Sequence, residues 1–276
     1  MTDAGANPGK ATTASLAARL RPGRWLALLL AAFLIALVMR APLPTWLSAA
    51  EHLGMLPADL EWEQARGSLR QGSLAGLRGE PGELGQLHWT LRPGALLRAR
   101  LAADLTWEPE TGGQVRGRVS AGPTGAVTLT SVTGTLPASA LNHMDSGIPL
   151  LLDGQLQARD VTLGLDRQRN VRDAGGTILW QEAAAGLPRP LPLGEQRATL
   201  DREGERLAIH LASAPGAPLG AEGRLFLDLV QEPPGIEARI AMEAGEDADE
   251  GLEVFLQQQL EPDAQGRYLW TTQPDS

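Results

Sequence analysis

The chain has no cysteine, which excludes disulfide staples, thiolate zinc sites and a catalytic thiol. Aromatic residues are scarce, 4% of 276, whereas there are 32 glycines and 20 prolines. That balance points to many short elements joined by turns rather than to a helical bundle. Positive charge is thin beyond the first forty residues. Residues 1–40 hold Lys10, Arg19, Arg21, Arg24 and Arg40 against Asp3, a net of +4; the whole chain is −9, so residues 41–276 carry −13. A bulk this acidic speaks against nucleic acid and against tight adhesion to anionic lipid.

Chemical motifs are missing too. There is no G-x-S-x-G elbow, no P-loop, no dinucleotide fingerprint and no H-E-x-x-H. The four histidines, His52, His88, His143 and His210, lie far apart in the sequence. His88 and His210 fall on the polar phase of alternating segments and read as exposed sheet-face residues. The acids Glu243, Glu246, Asp247, Asp249, Glu250 and Glu253 lack the glycine and ligand spacing of a calcium loop. They read as a solvated loop that places negative charge at the start of a helix, where the dipole favours it. No catalytic, cofactor-binding or metal-ligating residue is expected, and the chain reads as a binding module rather than an enzyme.

What is present is one long apolar run, Trp25 to Met39, uncharged and flanked by basic residues. A helix needs about 20 apolar residues to cross a bilayer. The run approaches that length if Arg40 snorkels and the helix continues to Ala41. Trp25 and Trp46 would then sit at the two headgroup layers, with Leu30, Phe33, Leu37 and Met39 inside, and Pro42 and Pro44 would stop the helix. A cleaved secretory signal is the rival reading, with Ser48-Ala49-Ala50 as small residues for a peptidase. Against it, that site lies well past Met39, behind Arg40 and two prolines. Basic residues stay on the cytoplasmic side. The expectation is therefore a cytoplasmic tail over 1–24, a transmembrane anchor and exit over 25–47, and a periplasmic domain over 48–276.

From Gly67 the dominant period is two, the mark of half-buried strands. Leu87, Trp89 and Leu91 alternate with His88, Thr90 and Arg92; Leu101, Ala103, Leu105 and Trp107 follow. Val127 and Leu129 continue, with a phase slip near Ser131-Val132 as at a β-bulge. Leu152 to Ala158 alternate, Val161 to Leu165 come out of phase with them, and further sets begin at Leu207, Leu225 and Ile236. Turn signals such as Thr111-Gly112-Gly113 and Pro233-Pro234-Gly235 suit an antiparallel meander. Leu53 to Gln64 is a weak helical lead-in, and the proline-rich stretch 186–192 marks a sub-boundary between two sheet halves. Leu252, Phe255, Leu256 and Leu260 fall at helical spacing, and Tyr268 to Thr271 form a last strand. Gly67-Ser68-Leu69 with Leu84-Gly85 echoes Gly176-Thr177-Ile178 with Leu193-Gly194; a duplicated half-domain and chance both account for it. The fold class expected is mainly β: one N-terminal transmembrane helix, then an antiparallel twisted sheet with one short C-terminal amphipathic helix.

One ordered set of residues goes beyond composition. Arg66-Gly67-Ser68-Leu69-Arg70-Gln71-Gly72 precedes Trp89-Thr90-Leu91-Arg92-Pro93-Gly94-Ala95-Leu96-Leu97. This resembles the protein N family of the bacterial type II secretion system (GspN). That family has a G-T-L-W-x-G step and then W-x-L-x-P-x-x-L-L after one membrane helix. Trp89, Leu91, Pro93, Leu96 and Leu97 match the second step; in the first, Ser68 and Arg70 replace Thr and Trp. Leu152-Asp153-Gly154, Gly176-Thr177-Ile178-Leu179-Trp180 and Leu193-Gly194 extend the likeness. We read Gly67, Gly72, Trp89, Leu91, Pro93, Leu96, Leu97, Gly176 and Trp180 as structural signature positions.

The resemblance implies an uncleaved inner-membrane anchor and a non-enzymatic accessory subunit that binds other secretion subunits. Long sheets behind one membrane helix also resemble AsmA-like proteins, whose β-groove binds lipid acyl chains in the periplasm. The two differ in whether the apolar phase of the strands is covered or left as a trough. An exported hydrolase is a third reading, supported only by the acid cluster.

Overall fold

In the computed structural model the described residues are 42–52, 60–79, 82–143, 151–186, 190–231 and 234–272. The apolar run from Trp25 to Met39 and the basic tail before it lie outside them. Among the described residues no helix is long and apolar enough to cross a membrane. The first described element is helix α1 (Leu43–His52), with Pro44 in its opening turn. The first N–H groups of a helix have no intrahelical partner, so proline costs nothing there. Pro42 and Pro44 thus stand at the opening of a helix; the apolar helix they are expected to stop lies outside the described residues. Gln64, expected to close a helical lead-in, instead begins a strand.

Fourteen antiparallel strands follow in one sheet: β1 (Gln64–Gly67), β2 (Gln71–Gly79), β3 (Gly82–Leu91), β4 (Leu101–Glu108), β5 (Gln114–Ala121), β6 (Val127–Pro137), β7 (Leu151–Leu165), β8 (Val171–Gly186), β9 (Leu191–Glu203), β10 (Arg206–Ser213), β11 (Leu219–Asp228), β12 (Gly235–Ala244), β13 (Glu261–Pro262) and β14 (Tyr268–Thr272). Each strand pairs with the next as far as β12; β14 then pairs with β12, and β13 lies outside it. Helix α2 (Glu250–Gln259) lies between β12 and β13. The 186–192 stretch joins β8 to β9, which pair with each other, so the sheet runs on across it.

Register turns the alternation into a face. One row of directly paired residues crosses twelve strands: Leu74, Leu87, Trp107, Val115, Gly134, Ala158, Ile178, Ala198, Leu211, Gly223, Ile240 and Trp270. No polar side chain interrupts it. The opposite face carries rows such as Gln71, Thr90, Asp104, Arg118 and Thr130. Two predicted phase slips are bulges: the register shifts between Leu129 and Val132 and between Arg159 and Thr162. Ser131 and Asp160 take positive φ there, 53° and 47°. Such a residue absorbs the extra step and returns the apolar side chains to one face.

Among the described residues three apolar clusters sit along the chain. Leu43 of α1 packs with Leu74 and Leu77, flanked by Leu47, Leu87 and Trp89. Val161, Val171, Leu200 and Leu207 form a second cluster without a helix. The third puts Leu252 and Leu256 of α2 against Ala183, Leu193 and Leu219. Phe255, assigned by spacing to the same stripe, is instead 43% exposed.

Candidate functional site

The polar residues that could do chemistry do not converge. His88 and His210 stand on the polar face, paired with Thr106 and Arg224 respectively, and His52 lies in α1 with Nδ1 2.8 Å from the Ser48 carbonyl oxygen. Among the described residues no group of three or more acids or histidines is placed to hold a metal. The acids before α2 act on the helix itself: the Asp249 carboxylate accepts from the Gly251 N–H at 2.8 Å, and Glu250 and Glu253 occupy the first turn. This is an N-cap reinforced by the dipole.

The signature residues divide into a packed set and an exposed set. The Trp89 indole on β3 donates to the Leu69 carbonyl, 2.9 Å away in the turn between β1 and β2. Gly72, its direct partner on β2, makes room for the ring: a Cβ there would lie 2.5 Å from Trp89 Cζ2 and 2.9 Å from the Ser68 carbonyl oxygen. Only glycine fits that approach. Gly67 ends β1 beside this turn, and the Leu91 N–H donates to the Arg70 carbonyl at 2.7 Å. Pro93 opens a 3-10 helix, Pro93–Arg98. Farther on, Trp180 donates to the Asp153 carbonyl at 2.8 Å and packs beside the α2 cluster. Gly176 holds φ +106° at a bulge where a Cβ would meet the Val161 Cα at 2.5 Å.

Leu96 and Leu97 differ from the rest. They are 39% and 91% exposed, and Leu101, where β4 begins, is 57% exposed. Spacing placed them with the packed signature, but the 3-10 helix turns them outward. Next to them an open cleft of about 720 Å³ is lined by Pro93, Leu97, Arg98, Asp104 and Arg118. Exposed leucines grouped this closely mark a contact surface. Strand addition is poorly served by comparison: the edge strands β1 and β13 have four and two residues, and β13 contains Pro262. Short edges and edge prolines block pairing with another chain. Sheet faces and the β3–β4 connection are the surfaces on offer.

Comparison with known proteins fits this layout. Residues 58–271 match the family described as "Type II secretion system (T2SS), protein N", a span that takes in the sheet from β1 to all but the last residue of β14. The chain belongs to the type II secretion system protein N family. A relative bearing that family's name, type II secretion system protein N of Vibrio cholerae serotype O1, is 26% identical over 232 residues, covering 79% of this chain and 86% of its own. No solved structure matches.

Proposed function

We propose that the chain is a non-enzymatic accessory subunit of the type II protein secretion machinery. It is held in the inner membrane by the single span from Trp25 to Met39, with its N-terminus cytoplasmic and its sheet in the periplasm, and it binds other secretion subunits there. The family match over 58–271 carries this reading. The absence of a nucleophile–base motif in the sequence supports a binding role, and the short edge strands favour contact through sheet faces and connections.

Deleting residues 48–276 should leave secretion substrates folded in the periplasm while inner-membrane export continues. Removing only the anchor should impair the same step, because tethering raises local concentration at the machine. Normal secretion in the deletion strain would overturn the proposal.

A second reading has its own support: the apolar row across twelve strands, together with the lack of any fully buried side chain in β5 or β6. An AsmA-like groove would hold acyl chains on that stretch. It predicts lipid in the purified protein and a permeable outer membrane, with secretion changed only indirectly. Measuring lipid content, permeability and secretion in one strain separates the two.

A further inference from the structure

The surface around the β3–β4 connection reverses the charge of the rest of the domain. Residues 41–276 carry −13, yet Arg66, Arg70, Arg92, Arg98 and Arg100 are all exposed near the strand end that carries Leu96, Leu97 and Leu101. Arg92 reaches Asp104 at 3.1 Å, and the same carboxylate is shared with Arg118 at 2.8 Å. Among the described residues the other four arginines have no acidic partner. Unpaired cations beside exposed leucines are the composition of a surface that enters an anionic lipid interface, where stems and leucines bury and guanidinium groups meet phosphates.

The fold also sets where this surface lies. Pro42 bridges to Ser68 in the β1–β2 turn, and Leu91 bonds to Arg70 in that same turn. The residue that leads into the sheet and the β3–β4 connection therefore share one end of the strands, about 10 Å apart at two strand spacings. Met39, the last residue of the apolar run, is three residues upstream of Pro42, at most about 11 Å of chain.

We infer that this end of the sheet rests on the membrane that the N-terminal run crosses. Leu96, Leu97 and Leu101 enter the headgroup layer, and Arg66, Arg70, Arg98 and Arg100 pair with anionic phospholipid. The inference rests on the anchor reading. It adds a second, charge-dependent contact that holds the sheet against the bilayer instead of leaving it on a loose tether.

Because the chain has no cysteine, single probes can be placed in the full-length protein. Leu97→Cys, Leu30→Cys and Thr111→Cys, the last in the β4–β5 turn at the opposite strand end, would each be labelled with an environment-sensitive fluorophore. Each is reconstituted in nanodiscs of phosphatidylcholine alone or with phosphatidylglycerol, plus a lipid-borne quencher. The expected result is quenching at 30 in both lipids, at 97 only with phosphatidylglycerol, and at 111 in neither. Adding Arg98→Glu and Arg100→Glu should weaken the contact at 97 at least twentyfold, since each arginine contributes about fivefold, or about 1 kcal/mol. No quenching at 30 would sink the anchor reading itself. Quenching at 30 with a probe at 97 in water in both lipids would overturn this inference alone and leave the patch to a protein partner. Equal quenching at 97 in both lipids would overturn the recognition of anionic headgroups.

Discussion

Strands β8–β12 and strands β4–β6 share one alternation and one unbroken apolar row, yet they reach different burial. Under α2, Ala183 is 1% exposed, Leu219 8%, Leu252 2% and Leu256 1%. In β5 and β6 no residue is buried, and Val115, Val119, Leu129 and Leu136 are all half-buried. Each region has both an unbroken pairing, β4–β5 and β10–β11, and a bulged one, β5–β6 and β8–β9, so pairing alone does not explain the contrast. Part of the difference is cover: α2 packs on the first region at Ala183, Leu193 and Leu219, and α1 packs on β2 and β3 without reaching the second. Alternation determines which face is apolar; a helix dries it at Ala183, Leu193 and Leu219, whereas Val171, Leu200 and Leu207 bury one another without one.

The strongest way to break this comparison is to truncate equivalent leucines in the two regions. Leu256→Ala removes a side chain that is fully buried at the helix–sheet contact, and should cost about 3 kcal/mol of stability. Leu129→Ala on β6 should cost about 1 kcal/mol, because its side chain already meets solvent. Urea titration of the two variants checks the pair. Equal losses would mean that β6 has a cover as effective as α2, and the contrast would fail.

A smaller effect sharpens the same point from the other side. If α2 is what dries Ala183, Leu193 and Leu219, loosening its first turn should loosen the sheet beneath it. Asp249→Ala removes the cap on Gly251 and should cost about 1 kcal/mol. Hydrogen exchange should speed up at β9 and β11 amides beneath the helix and stay unchanged in β4–β6. Uniform acceleration across all strands would mean that the sheet opens as one unit whatever covers it.

Much of this fold is legible in the sequence because a half-buried antiparallel sheet writes its period directly into the chain. Even the bulges at Ser131 and Asp160 leave a trace, as a loss of phase. The helix at Leu43–His52 is hidden by Pro42 and Pro44, which punctuate a helix start and a helix end alike. Phe255 and Leu97 are misplaced for a common reason: spacing says which residues lie near one another but not whether anything packs on them. Leu96 and Leu97 sit inside a signature whose tryptophan and glycine are packed, and only the 3-10 turn after Pro93 separates their environments. The group of unpaired arginines is likewise invisible in the sequence, since Arg66 and Arg70 come to the same strand end as Arg98 and Arg100 only through the pairing of β2 with β3.

The smallest expected effect is acid titration, and it should run in opposite directions at different turns of the sheet. Burial of Asp166, in the β7–β8 turn, works against its charge. Hydrogen bonds from Asn170 and Arg172 outweigh that and hold its carboxyl below the usual range. In the β13–β14 turn, the carboxyl of Asp263 is lowered chiefly by the backbone N–H of Arg267. A carboxyl whose folded pKa is depressed adds stability above its unfolded pKa and loses it as pH falls through the folded value. Glu110, in the β4–β5 turn, is raised, first by a hydrogen bond with Glu83 and then by the charge of that neighbour. Its contribution has the reverse sign: present below the unfolded pKa, lost as pH rises through the folded one. Lowering the pH through the carboxylate range should therefore speed amide exchange at Gln168, Asn170, Gln265 and Arg267, whose N–H groups bond to these two aspartates. Exchange around Gly112, in the turn that holds Glu110, should slow relative to its own chemical rate. Asp166→Asn should remove the first response and leave the second, whereas Glu83→Gln should remove the second alone. A single acid response of one sign at all three turns would show that global charge, not these local pairs, governs the sheet at low pH.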